Sequence, residues 1–190
     1  MVADPFVWRS RSPYYSYLFE ILFVIAGCLA FRFRTQLWRR PSGRDAIAVV
    51  LSFVGGGLAL CGASWVSVPV PFDFSSTETR VLLLLVAPIL EEAVFRLVLW
   101  EAFATVFRKP LWVLLATTAL FSLGHAAAYN FVPEIYRGFV LYQVLYVTLL
   151  GLAAGFRRRD EGCWNSAVFV HFGFNLGFFF ASSFTAIEPT

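Results

Sequence analysis

Glu91 and Glu92 stand side by side, Arg96 follows four residues after Glu92, and His171 and Asn175 are likewise four apart. With His125 they make six polar or ionisable side chains set in long apolar runs, and the two histidines are the chain's only ones. On a helix, residues four apart share a face, so Glu92 and Arg96 can pair. Glu91 lies about 100° around the helix from Glu92 and is five residues from Arg96, so it has no such partner on its own helix. A carboxylate without a cation in a medium of low dielectric holds a proton more readily than one in water, and a general base needs to work near that balance. Glu91 is therefore the candidate base and Glu92 its paired neighbour. Asn175 can hydrogen-bond His171 or a substrate carbonyl. Pro88, three residues before Glu91, removes one helical hydrogen bond and favours a kink beside the polar cluster. Taken singly, each histidine reads as a satisfied core residue. Two Glu, two His, one Arg and one Asn together are hard to explain as packing, because an ionisable group at mid-membrane depth costs at least ~2.5–3.5 kcal/mol.

The elements that must position these groups are membrane spans. The 190-residue chain is 59% hydrophobic with a mean hydropathy of +0.71, and only 14% of its residues are charged, against roughly a quarter in soluble domains. Six segments come close to the about 20 apolar residues a span needs: Tyr14–Phe31, Ala46–Val68, Val81–Phe103, Leu111–Ala128, Gly138–Phe156 and Cys163–Phe184. Backbone groups in lipid must be satisfied within the segment, so these are helices. The expected fold is an all-α polytopic bundle of about six transmembrane helices, with 1–190 a single integral membrane domain. The first apolar run reads as a retained span rather than a cleavable leader. Gly55-Gly56-Gly57 and the Gly151–Gly155 spacing read as helix packing. The phenylalanines of the last span read as core or lipid-facing. Cys28, Cys61 and Cys163 form no pair motif and read as free thiols.

The net charge of +3 rests on short arginine clusters between apolar runs, a pattern of membrane loops and not of nucleic-acid binding. The first loop holds Arg32, Arg34, Arg39, Arg40 and Arg44, the third Arg108 and Lys109, and the fifth Arg157, Arg158 and Arg159. The second and fourth loops are poor in base, and Arg9 and Arg11 in the N-terminal tail pull the other way. The balance makes the odd loops cytoplasmic and places both ends of the chain on the opposite side.

Written as motifs, Glu91-Glu92-Ala93-Val94-Phe95-Arg96, Phe121-Ser122-Leu123-Gly124-His125 and His171-Phe172-Gly173-Phe174-Asn175 read EExxxR, FxxxH and HxxxN. In this order on separate spans they resemble the CAAX-processing and bacteriocin-processing (Abi, type II CAAX prenyl endopeptidase-like) family of intramembrane glutamic proteases. The resemblance covers about 81–184, the expected catalytic core. It implies that Glu91 activates a water for attack on a peptide carbonyl, that His125 helps orient that water or Glu91, and that His171 and Asn175 stabilise the oxyanion. It implies a supporting role for Glu92 and Arg96, with Arg96 also able to meet substrate. The implied partner is a membrane-embedded or lipidated protein or peptide in the cell membrane; a prenylated C-terminus, a secreted peptide and a sorting tail are all within its range. No metal or other cofactor is expected, since base, orienting group and oxyanion donors are all assigned. Three rivals differ in kind. A zinc protease could use His125, His171 and Glu91 as ligands, a transporter could use the same groups as a proton path, and a non-catalytic scaffold needs none of them. The 128–138 loop, with Tyr129, Asn130 and Pro133, is a candidate gate, and all six motif residues are expected to converge on one cavity.

Overall fold

The computed structural model describes residues 13–31 and 38–184. Among them the chain makes six helical passes and contains no strand. Helix α1 (Pro13–Ala30) is followed by α2 (Gly43–Trp65). The third pass is one continuous rod: α3 (Thr77–Val81), a π turn (Leu82–Val86), α4 (Ala87–Glu92), a second π turn (Ala93–Val98) and α5 (Leu99–Val106). Helices α6 (Pro110–Ala127), α7 (Arg137–Glu161) and α8 (Asn165–Ser182) complete the bundle.

Gly43–Trp65, Pro110–Asn130 and Glu134–Glu161 are long and apolar enough to cross a membrane, and Tyr17–Ala30 is a shorter apolar helix. The two remaining passes carry five of the six cluster residues, the sixth, His125, lying near the end of α6. The rod is interrupted by π turns, and α8 has His171 and Asn175 in its middle, so both depart from a plain apolar span for the reason that makes them interesting. Of the basic residues that set the expected orientation, Arg9, Arg11, Arg32 and Arg34 lie outside the described residues.

The most extensive helix pairing joins α2 to α8. Glycines make it possible: a Cβ at Gly56 would collide with the Phe174 carbonyl, and one at Gly177 with the Phe53 carbonyl. The backbones are in direct contact, as small-residue helix interfaces allow. Phe174 and Phe178 are buried while Phe180 is exposed, so the aromatic run of α8 divides between core and lipid face.

The two ends of the bundle are built differently. At one end Arg39 Nη2 pairs with Asp45 Oδ2 (2.6 Å) and Glu161 Oε2 (3.1 Å), and Arg157 Nη2 pairs with Asp45 Oδ1 (2.7 Å) and Glu161 Oε1 (2.9 Å). Asn165 Nδ2 donates to the Arg39 carbonyl at 2.8 Å. These bonds tie the start of α2, the end of α7 and the start of α8. At the other end the 66–76 connection lays Phe72 against Phe139 (ring centroids 5.6 Å apart) and Phe178 (6.2 Å).

Candidate active site

The geometry of the site begins at Pro88. A π turn sends the Ala87 N–H to Leu82 O, five residues back. The next carbonyl, Leu83, would find Pro88 in that register, and proline has no N–H to give. Its partner comes from another helix: Asn175 Nδ2 donates to Leu83 O at 2.7 Å. The proline of the rod and the asparagine of α8 thus complete each other. An orphaned carbonyl in an apolar setting would be costly, which ties α8 to the rod about two turns before the paired glutamates.

From that point the two carboxylates diverge. Glu92 turns into the wall and is fully buried. His171 Nδ1 lies 2.9 Å from its Oε1 and Arg96 Nε lies 3.5 Å from its Oε2. Glu91 stays on the cavity side; its Oε2 has no hydrogen-bond partner among the described residues and lies 3.8 Å from His171 Nε2. His171 therefore spans the pair, one ring nitrogen towards each carboxylate.

Arg96 is also fully buried. Its Nη2 donates to the Gly151 carbonyl of α7 at 2.8 Å, and its guanidinium lies 5.3 Å from the centre of the Phe121 ring. Gly151 gives it room, since a Cβ there would come 3.3 Å from Nη2. Arg158, read from the sequence as loop charge, is buried too and returns the contact: its Nε donates to the Arg96 carbonyl at 2.9 Å and its Nη2 to Glu101 Oε1 at 3.0 Å. The expectation that Arg96 could meet substrate is corrected by this burial: with no exposed surface it supports Glu92 and holds the rod on α7.

The histidine tautomers follow from their partners. A carbonyl only accepts, so His125 Nδ1, 3.0 Å from Phe121 O, carries the proton. His171 Nδ1 faces the Glu92 carboxylate, which Arg96 keeps in ionic company, and is the donor there. In the neutral ring this leaves Nε2 of each histidine as an acceptor. His171 can therefore hold a water or receive a proton beside Glu91, and it becomes an oxyanion donor only once its ring carries a second proton. Phe121 packs between them, its ring centre 4.7 Å from that of His125 and 5.9 Å from that of His171.

A cavity of ≈ 230 Å³ opens onto Glu91, His125, His171 and Asn175. Four of the six motif residues thus share it, and Glu92 and Arg96 stand behind its wall. The expectation that all six line one cavity is corrected accordingly, because the adjacent glutamates project about 100° apart. The 128–138 segment folds into two 3₁₀ turns, Ala128–Asn130 and Glu134–Tyr136, and contributes no lining residue.

The cavity also takes Tyr17 from α1, Thr79 and Leu83 from the rod, and Gln143 and Tyr146 from α7, none of which the motifs pointed to. Gln143 and Thr79 carry no charge that would mark them in an apolar span. Glu20 on α1 is a charged residue in such a span, and its Oε2 is buried without a hydrogen-bond partner among the described residues.

Among the described residues no three or more His, Cys, Asp or Glu side chains are grouped to hold a metal ion. With both Nδ1 atoms engaged, the groups left to face the cavity are the two Nε2 atoms and the Glu91 carboxylate. They suit a bound water as acceptors of its hydrogens. Asn175→Ala removes both the Leu83 cap and an amide donor at the cavity. We expect kcat to fall by about 10²–10³, the usual cost of one such donor, measured against a cleavable substrate in reconstituted membranes; an unchanged kcat would leave Asn175 without a part in the reaction.

A family model described as type II CAAX prenyl endopeptidase, Rce1-like, matches residues 74–177. No curated protein and no solved structure matches the chain. The matched segment takes in the rod, α6, α7 and most of α8, which together supply all six motif residues.

Proposed function

The chain belongs to the Rce1-like type II CAAX prenyl endopeptidase family, a membrane peptidase family, and from that premise we propose that it hydrolyses a peptide bond of a membrane-associated protein with a water activated by Glu91. The observation that carries this reading is His171 set between two unlike carboxylates, 2.9 Å from buried Glu92 and 3.8 Å from cavity-facing Glu91.

In this mechanism a water sits between Glu91 and the substrate carbonyl, donating one hydrogen to the Glu91 carboxylate and the other to a histidine Nε2, that of His125 or His171. Glu91 takes one proton as the water oxygen bonds to the carbonyl carbon. The carbonyl π electrons move to oxygen, and the remaining N–H of Asn175 faces that charge. The proton held by Glu91 passes to the leaving nitrogen, the C–N bond breaks, and a carboxylic acid and an amine result. Glu92 and Arg96 fix the His171 ring. Every step uses groups already facing the cavity or packed behind it.

The substrate is proposed to be a membrane-embedded or lipidated protein and the setting a cell membrane. The test is cleavage by the purified, reconstituted chain before and after exhaustive chelation, and again with zinc restored. The expected result is a rate unchanged by chelator. Loss of cleavage on chelation with recovery on zinc would replace the glutamate mechanism by a metal-dependent one. Ion flux across the vesicle without any peptide product would favour a transporter instead.

A further inference from the structure

We infer that the catalytic cavity faces the non-cytoplasmic side of the membrane, so that its substrate is a membrane-anchored protein whose scissile segment lies on that side. The inference rests on the peptidase reading and adds the class of substrate to it.

Two independent observations meet here. The first is where the cavity runs. Its lining begins at Glu91 and His171, near the middle of their helices, and continues through Asn175 and Leu83 to Thr79 and Phe72. Thr79 lies twelve residues before Glu91, or ~18 Å along a helical rod. His125 and Tyr146 belong to the same half of the bundle, close to the end of α6 and in the first half of α7. Among the described residues none of the opposite end lines it. That opposite end is shut by the bonds of Arg39, Asp45, Arg157 and Glu161, backed by the buried Arg158–Glu101 pair at 3.0 Å. The hydroxyl of Thr79 is buried and has no hydrogen-bond partner among the described residues. A polar atom left unsatisfied on the wall of a cavity calls for water or a substrate polar group, and it stands where such a group would enter.

The second observation is charge. Among the described residues eight Lys and Arg residues (Arg39, Arg40, Arg44, Arg108, Lys109 and Arg157 to Arg159) stand at the closed end, and two, Arg80 and Arg137, at the end the cavity reaches. Basic residues in short loops remain on the cytoplasmic side. The closed, arginine-rich end is thereby cytoplasmic, and the cavity opens away from it. A protein tail lying in the cytoplasm would meet the ionic closure. A segment held at the other surface, such as the juxtamembrane part of an exported protein that keeps one anchoring span, meets Thr79 and Phe72 directly.

Sidedness can be read without any cleavage assay. Three single-cysteine additions to the full chain, Thr79→Cys, Asn130→Cys and Arg108→Cys, are treated with a membrane-impermeant maleimide in sealed vesicles of either orientation, and labelling is scored above that of the parent chain. Asn130 and Arg108 are exposed at opposite ends of α6 and report topology. We expect Asn130→Cys and Thr79→Cys to label when the non-cytoplasmic face is outward and to lose that labelling in inverted vesicles, with Arg108→Cys showing the reverse. Labelling of Asn130→Cys only from the cytoplasmic side overturns the inference. So does labelling of Thr79→Cys only from the Arg108 side, or from neither side. None of these outcomes depends on whether Glu91 is a base, so the sidedness and the peptidase reading fail separately.

Discussion

Glu91→Gln is expected to give a protein that inserts, folds and cleaves nothing. The amide has the volume of the carboxylate and leaves the wall of the cavity intact. It lacks basicity, so it cannot take a proton from water in the pH range of an enzyme. The neighbours argue that the fold tolerates the change: Glu91 Oε2 makes no hydrogen bond among the described residues and its nearest ionic contact is the 3.8 Å approach to His171 Nε2. Little structural energy is at stake, and positioned acid–base groups typically contribute 10²–10⁴ in rate. We expect loss at the upper end of that range, measured as product formed per hour from a reconstituted reporter, with thermal stability in detergent close to the parent. Cleavage at the parental rate by Glu91→Gln would remove the mechanism. A folded but inactive Glu92→Gln beside an active Glu91→Gln would mean that the two carboxylates had been assigned the wrong way round.

Arg96→Ala should have the opposite profile, losing the fold before any question of chemistry arises. It leaves Glu92, with no solvent exposure, beside His171 alone and empties a large buried site against Phe121 and Gly151. Removing one member of a buried ion pair typically costs 3–5 kcal/mol, because the remaining charge has lost its counter-ion. The expected observation is a large fall in melting temperature or failure to accumulate in the membrane. Arg96→Lys should recover only part of this. An ammonium restores the charge, but it does not reproduce the guanidinium fork that reaches Glu92 through Nε and the Gly151 carbonyl through Nη2. A parental melting temperature for Arg96→Ala would show that Glu92 and Arg96 do not hold the rod together.

Much of this was legible in the chain itself. The all-α architecture follows from the apolar runs, since lipid leaves a backbone no other partners than its own. The ionisable residues on those runs announce themselves by their cost, and the spacing of Glu92 and Arg96 is enough to pair them. What a linear reading cannot supply is which groups from different helices meet. The bond from Asn175 to Leu83 spans 92 residues and exists because Pro88 leaves a carbonyl without a donor. Gly151 reads as a packing glycine until Arg96 is found bonded to its carbonyl across 55 residues. Arg158 counts as loop charge by its neighbours in sequence, whereas the tertiary structure turns it inward onto Arg96 and Glu101. Gln143 and Thr79 carry no formal charge to betray them in a span, and only the packing of α7 and the rod around one cavity gives them a place. Local periodicity determines which face of a helix a residue occupies; the register between helices, decided here by close-packed glycines and by polar atoms seeking partners, determines what that face meets.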